Sequence, residues 1–260
     1  MITIKELGNE NHLGRLGNQL FEISSILGIS SDNKHEAFFP HWKYSTFFKN
    51  PLNYLDISYE KTISEYEYIN SNYTIEPGNY NLHGFFQSEK YFKKIEDDIR
   101  YFFSLKDEYQ NIVDSYDMSN TCSLHIRRTD YVKSSTHGVL SDIETLIKYI
   151  NNGLKSIYDC NETPRLIVFS DDIDWCKSNL KFKNIEFIEG NNEIIDLFIM
   201  SKCENHIISN STFSWWGAWL NVNKNKKIVA PTPWLLNDDY PLISDNIIPD
   251  DWIKIKINEC

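Results

Sequence analysis

The sequence predicts an α/β fold in which parallel strands are wound with helices. Three observations lead there. Short apolar strands alternate with helical stretches from residue 122 to residue 230. The chain opens on a strand, a glycine loop and a helix. Its 260 residues, 14% of them aromatic, are enough to build one large domain or two small ones around real cores.

The elements follow in order. Residues 2–7 alternate apolar and polar, as a strand does. A loop from Gly8 to Gly17 leads through Asn18 and Gln19 into a helix that sets Leu20, Ile23, Ser24 and Leu27 on one face. Such a loop lets backbone amides approach a ligand at a helix start. Turn geometry alone is the competing account of its glycines. Ala37–Trp42 is a short apolar segment, and residues 43–79 read as loops with short elements. Tyr80–Gln87 reads as a strand running into a turn. Phe92, Ile95, Ile99, Phe102 and Phe103 fit one face of a helix. Asp, Glu, Ser and Asn gather at residues 104–120 and mark a junction, giving domains of 1–118 and 119–260.

The second half is more regular. Ser123, Leu124 and Ile126 form a buried strand. Ser141 and Glu144 make a capping box before a helix at 142–158, where Leu146, Ile150, Leu154 and Ile157 recur at helical spacing. Leu166–Phe169 is a strand ending in Ser170, Asp171 and Asp172, followed by a short helix around Trp175. A strand at 185–188, a helix at 194–203 and a strand at 206–209 come next. Asn210, Ser211 and Thr212 then open the aromatic helix Phe213–Leu220, whose Phe213, Trp216 and Leu220 read as core. Ile228–Ala230 is the last strand, stopped by Pro231 and Pro233.

Composition narrows the function classes. A net charge of -11 argues against a nucleic-acid surface and requires any anionic ligand to be drawn by local positive charge. Five scattered cysteines without a CxxC read as reduced thiols, and so as cytoplasmic residence. No apolar run approaches the ~18 residues of a membrane helix, so any meeting with a membrane is peripheral. P-loop, kinase, GxSxG and zinc-site patterns are absent.

One stretch carries chemistry. A buried strand runs straight into Arg127, Arg128 and Asp130, placing fixed positive charge at the carboxyl edge of the sheet, where open α/β sheets bind ligands. Arginine grips phosphate oxygens through its planar fork. Two solvated arginines are the bland alternative. If the strands neighbour one another, the loops at Arg127–Asp130, Ser170–Asp172 and Asn210–Thr212 share one crevice suited to a nucleoside diphosphate. Asp172-Ile-Asp174 could hold a divalent metal or simply cap its helix. His83 could meet a ligand or be structural, and His35 and His41 look incidental.

His125-Ile-Arg-Arg-Thr-Asp130 resembles the HxRRxD motif of the α1,2-, α1,6- and protein O-fucosyltransferases. Gly14-Arg-Leu-Gly-Asn-Gln19, His83-Gly-Phe-Phe-Gln87 with Ser88 to Phe92, Phe169-Ser-Asp-Asp172 and Asn210–Leu220 are similar, in order, to the bacterial-type α1,2-fucosyltransferases of glycosyltransferase family 11. The resemblance implies a GT-B-like fold of two Rossmann-like domains, with the nucleotide in the C-terminal one. It also implies GDP-fucose as donor, a galactose-containing glycan as acceptor, inversion, and no metal or other cofactor. Arg127 would stabilise the leaving GDP, with Arg128 and Asp130 in support. His125 would lie beside the nucleotide, Asp171 at the guanosine, and Ser211, Thr212 and Phe213 along the pyrophosphate. Gly17 would help bind the donor, Asn18 would reach the reacting centre from the other domain, and His83 and Gln87 would meet the acceptor. No glutamate follows the motif closely, so His137 and Asp130 are the candidate bases. Residues 43–79 match nothing in the family and are the expected seat of acceptor choice.

Overall fold

A computed structural model describes residues 1–9, 14–56, 58–70, 74–160, 162–237 and 246–257. The chain divides into two compact units, Met1–Gln110 and Asn111–Cys260.

The first unit is a four-stranded, all-parallel sheet of order β2-β1-β4-β3, made of β1 Ile2–Thr3, β2 Ala37–Phe38, β3 Lys61–Ser64 and β4 Tyr80–His83. Helix α1, Leu16–Asp32, follows β1 and is buried along most of its length. It begins four residues earlier than its apolar spacing suggests, so Asn18 lies in its first turn and not in the glycine loop, which falls partly outside the described residues. Burial explains the missed start: Gln19, Glu22, Ser24 and Ser25 are as deeply placed as the apolar face. The stretch read as loops with short elements holds a 3-10 helix at Lys43–Phe47, β3, and α2, Glu65–Asn70. The helix expected at 92–103 is shorter, with 3-10 turns at Glu89–Tyr91 and Lys93–Ile95 before α3, Glu96–Phe102. Phe92, Ile99 and Phe103 are still buried. Trp42 is the hub of the core: it stacks on Phe48 with ring centroids 5.5 Å apart and meets Phe103 edge-on. Each fully buried ring of this kind is worth about 1.5–3 kcal/mol in transfer free energy. Helix α4, Asp107–Asp114, spans the division between the units.

The second unit is a six-stranded parallel sheet of order β10-β9-β8-β5-β6-β7. Its strands are β5 Thr121–Ile126, β6 Arg165–Ser170, β7 Ile185–Phe187, β8 Asn205–Ile207, β9 Ile228–Thr232 and β10 Ile253–Lys256. The order reverses between β5 and β8: β6 and β7 are laid down on one side of β5, β8 to β10 on the other. That is the arrangement in which ligands bind at the carboxyl ends beside the first strand. Helices α5 Ile143–Ile157, α6 Ile173–Asn179, α7 Glu193–Ser201 and α8 Thr212–Leu220 make the crossovers. Gly153 lets α5 approach β8, because a Cβ there would lie 2.9 Å from Ile207. Tyr149 of α5 donates to the carbonyls of Ile208 and Val229 at 2.6 and 3.1 Å, so the carboxyl end of β8 is tied to the helix above it. The capping box is not the one expected. Asp142 is the N-cap and accepts from Thr145 N at 2.8 Å, while Ser141 donates to the Gly138 carbonyl. A carboxylate is the better acceptor at a helix start.

Candidate active site

The carboxyl edge of the six-stranded sheet gathers most of the predicted donor residues. β5 is buried at every position, so His125 and Ile126 cannot swing and the chain leaves the sheet in a fixed direction. Arg127 comes next, its side chain 15% exposed, with Nη1 3.1 Å from Asp171 Oδ2 and Nη2 2.7 Å from Asp130 Oδ1. Its guanidinium lies 5.5 Å from the centre of the Tyr131 ring. That ring in turn packs on His137, centroids 5.1 Å apart. Arg127, Asp130, Tyr131 and His137 therefore form one row.

Asp171, at the end of the neighbouring β6, organises the loop. Its carboxylate accepts from the backbone N of Arg128 at 2.8 Å and of Thr129 at 3.2 Å, and from the Thr129 hydroxyl. Burial works against the Asp171 charge, but these bonds and the Arg127 guanidinium hold its pKa below the usual carboxylate range. In this arrangement the carboxylate faces the arginine loop, a duty that sequence did not assign to it.

Arg128 turns the other way. It stacks on Trp175 at 3.5 Å and its Nε sits 3.6 Å from Asp172. The two arginines are thus divided between Arg127 at the crevice and Arg128 against α6. Asp172 also caps α6 by accepting from Trp175 N at 3.3 Å, which is the capping account of the Asp-Ile-Asp stretch.

His125 is buried, hydrogen-bonded through Nδ1 to Ser209 Oγ at 2.7 Å, and faces the ring of Phe213 at 5.4 Å. Burial, reinforced by Arg127, pushes its pKa down to about 3, so the imidazole is neutral. Phe213 is only half-buried and lies at the site, whereas the core of α8 is made by Trp215, Trp216 and Trp219. Ser211 is the N-cap of α8 and makes no capping bond with its side chain; Thr212 opens the helix. Asn210 stitches the region together, donating to the carbonyls of His137 at 2.9 Å and Trp234 at 3.0 Å and accepting from the Tyr131 hydroxyl at its own carbonyl. His137 is held at Nδ1 by Ser134 Oγ, 3.2 Å away, and half-burial lowers its pKa against a smaller opposing pull from Asp130.

The switch point thus gathers a fixed guanidinium, a neutral imidazole and a helix start, a donor set for an anionic, phosphate-bearing group. The sequence profile of Glycosyl transferase family 11 matches residues 4–256. The chain belongs to glycosyltransferase family 11. It is 34% identical over 194 residues to an alpha-1,2-colitosyltransferase of Escherichia coli, covering 69% of this chain and spanning 63% of that enzyme's length. It is 26% identical over 243 residues to galactoside alpha-(1,2)-fucosyltransferase 2 of Bos taurus, with 84% of this chain and 70% of the bovine one covered. Among solved structures, the alpha-1,6-fucosyltransferase NodZ superposes with a TM-score of 0.55 over 84% of this chain and 91% of its own, at 10% identity, which establishes the shared GT-B fold.

In this family-11 chain the remaining predicted residues belong to the first unit. Asn18 Oδ1 accepts from Gln87 Nε2 at 3.0 Å, so a predicted catalytic residue and a predicted acceptor residue are joined. Gly14 adopts a left-handed φ of 81° and leaves room for the Asn18 amide, which would lie 2.2 Å from a Cβ there. Gly17 is buried in the first turn of α1, and His83 is exposed at the end of β4. Between His83 and Gln87 the chain is pinned by Glu65, which accepts from Phe86 N at 2.8 Å. Sequence reading missed Thr129, Tyr131, Trp175 and Ser209. Thr129 lies inside a quoted motif and Tyr131 and Ser209 directly beside one, but a partner across strands leaves no local pattern.

Among the described residues no helix is long and apolar enough to cross a membrane.

Proposed function

We propose that the chain transfers L-fucose from GDP-fucose to the 2-hydroxyl of a terminal β-galactoside, with inversion at the anomeric carbon. The observation that carries the reading is Arg127, held by Asp171 and Asp130 at the switch point beside β5. In the reaction the acceptor oxygen bonds to the fucose anomeric carbon, the carbon–oxygen bond to the β-phosphate breaks, and GDP leaves with the electron pair. Negative charge grows on the departing phosphate, so a fixed guanidinium favours the transition state over the ground state. Asp171 keeps that guanidinium from reorganising. Neutral His125 and Phe213 line the nucleotide, and the start of α8 at Ser211 and Thr212 offers its amides to the pyrophosphate. Arg128 supports the site through its stack on Trp175. The acceptor proton goes to His137, whose Nδ1 is engaged by Ser134 and whose Nε2 is then the accepting nitrogen, or to Asp130 beside it. Asn18 and Gln87 serve the acceptor side, as does His83. The reading uses no metal: Asp172, the first acid of the candidate metal pair, is committed to capping α6 and to Arg128.

The test is GDP release from GDP-fucose with a β-galactoside, followed by NMR of the product. Turnover with an α1,2 linkage that survives EDTA is the expected result. Any other linkage overturns the 2-hydroxyl assignment, and loss of activity in EDTA overturns the metal-free one. The 34% identity to a colitosyltransferase favours a second reading, a colitosyl donor. Faster turnover with that donor than with GDP-fucose would select it.

A further inference from the structure

We propose that Tyr54 and His41 form a stacking platform for a saccharide ring of the acceptor, at the same sheet edge as the Asn18–Gln87 amide pair. The proposal rests on the reading of the chain as a sugar transferase.

Among the exposed tyrosines of the first unit, which include Tyr59, Tyr66 and Tyr101, Tyr54 is stacked on a second exposed ring. Phe39 and Trp42, on either side of His41, are 0% and 1% exposed. His41 itself is exposed, and Tyr54 keeps 39% of its surface open. The two rings lie against each other with centroids 6.0 Å apart and planes 30° from parallel. They are not on a loose loop. Tyr54 bridges Phe39 as an added edge pairing beyond β2, with Phe39 N bonded to Asn53 O at 2.9 Å and Leu55 N bonded to Phe39 O at 3.1 Å. Ordering these rings therefore costs little at the moment of binding.

Their position is the carboxyl end of β2, the edge on which α1 begins. Trp42, next to His41, donates its indole N–H to Gln19 Oε1 at 2.8 Å, and Gln19 Nε2 donates to the Gly14 carbonyl at 3.0 Å. The platform is thereby tied to the glycine turn that shapes the Asn18 site. A pyranose has an apolar C–H face and a rim of hydroxyls. Rings beside side-chain amides match both, since aromatic faces take the first and amides both donate to and accept from the second. Tyr54 and the Asn18 and Gln87 amides carry no formal charge, which suits a neutral glycan and does not suit a diphosphate.

The experiment uses lactose as acceptor with Tyr54→Ala, Tyr54→Phe and His41→Ala. Acceptor KM, donor KM and kcat are measured separately, and saturation-transfer NMR of lactose on the protein without donor gives a readout free of turnover. Loss of the tyrosine ring is expected to raise the acceptor KM about tenfold, equivalent to about 1.4 kcal/mol, and to diminish saturation transfer. Donor KM should stay unchanged, and Tyr54→Phe should behave as wild type. His41→Ala should move the same quantity by a smaller factor. An active wild type whose acceptor KM and saturation transfer are the same in Tyr54→Ala and His41→Ala overturns the platform and leaves the transferase reading standing. A wild type that neither releases GDP nor shows saturation transfer overturns both.

Discussion

Glu22 and Asp171 are both carboxylates withdrawn from solvent, and the two units treat them in opposite ways. Glu22, on α1, is fully buried, and among the described residues neither of its oxygens has a hydrogen-bond partner. Burial, with Glu6 nearby, pushes its pKa up to about 9, so it carries a proton and no charge at neutral pH. Asp171 is ionised and spends its charge on two backbone amides, a hydroxyl and a guanidinium. The difference fits the division proposed above, a diphosphate at one sheet edge and a neutral sugar at the other. The six-stranded edge keeps a rigid set of charges suited to phosphate. The four-stranded edge offers amides and aromatic rings, and its buried acid one turn beyond Asn18 is neutralised.

The largest test of that division is the base. Replacing His137 by Asn is expected to lower kcat about 100- to 10,000-fold if it accepts the proton. Because its pKa is lowered, the base is free already below the ordinary histidine range, so the acid limb of the wild-type kcat profile should lie below pH 6.5. A limb above that value shifts the role elsewhere. Next comes Arg127→Ala, expected to cost about 100- to 1,000-fold in kcat; unchanged turnover would remove the charged edge from the mechanism. Asp171→Asn keeps the shape and loses the charge. Hydrogen bonds to charged groups are worth about 1.5–3 kcal/mol, which sets a kcat loss of about 10- to 100-fold. Since the Asp171 pKa is depressed, its stabilisation is present above the unfolded carboxylate value and lost as pH falls below about 4.

Glu22→Gln probes the other side. The folded state holds a proton that the unfolded chain releases above its ordinary pKa of 4.5, so stability falls as pH rises from there to about 9. The variant should escape that slope, gaining on wild type by about 1.4 kcal/mol per pH unit in urea melts. Parallel curves for the two proteins would show Glu22 to be ionised. The smallest effect is Trp175→Ala, where loss of the Arg128 stack should lower stability by about 0.5–2 kcal/mol and leave the donor KM nearly unchanged. A large rise in that KM would place Arg128 in the crevice after all.

Much of this was legible in sequence. The strand before Arg127 and the helix at Ile143–Ile157 announce themselves by continuous and periodic apolar residues, and both are present. The strands that carry Arg127, Asp171 and the Asn210–Thr212 loop are also neighbours, as the reading required. What stayed hidden has a common cause. β3 has a single buried residue, Ile63, and α2 no strong apolar face, so neither carries a period. β10 is an edge strand of alternating Ile and Lys, whose lysines guard the edge and dilute the signal. The separation of Arg127 from Arg128 depends on Trp175, 47 residues later, and the His41–Tyr54 pair on a bridge to Phe39. Neighbours in space with no fixed spacing are invisible to any window.

The hold of Asp171 on the arginine loop has a practical corollary for anyone transplanting the motif. His-x-Arg-Arg-x-Asp is half of a two-strand device, and its other half is an acid at the end of the adjacent strand, 44 residues beyond Arg127 in this chain. A scaffold given the first half alone would hold the arginine through Asp130 and lose the second carboxylate that fixes its direction. Enzyme mining or redesign that screens for both halves should therefore separate working donor sites from decorative ones.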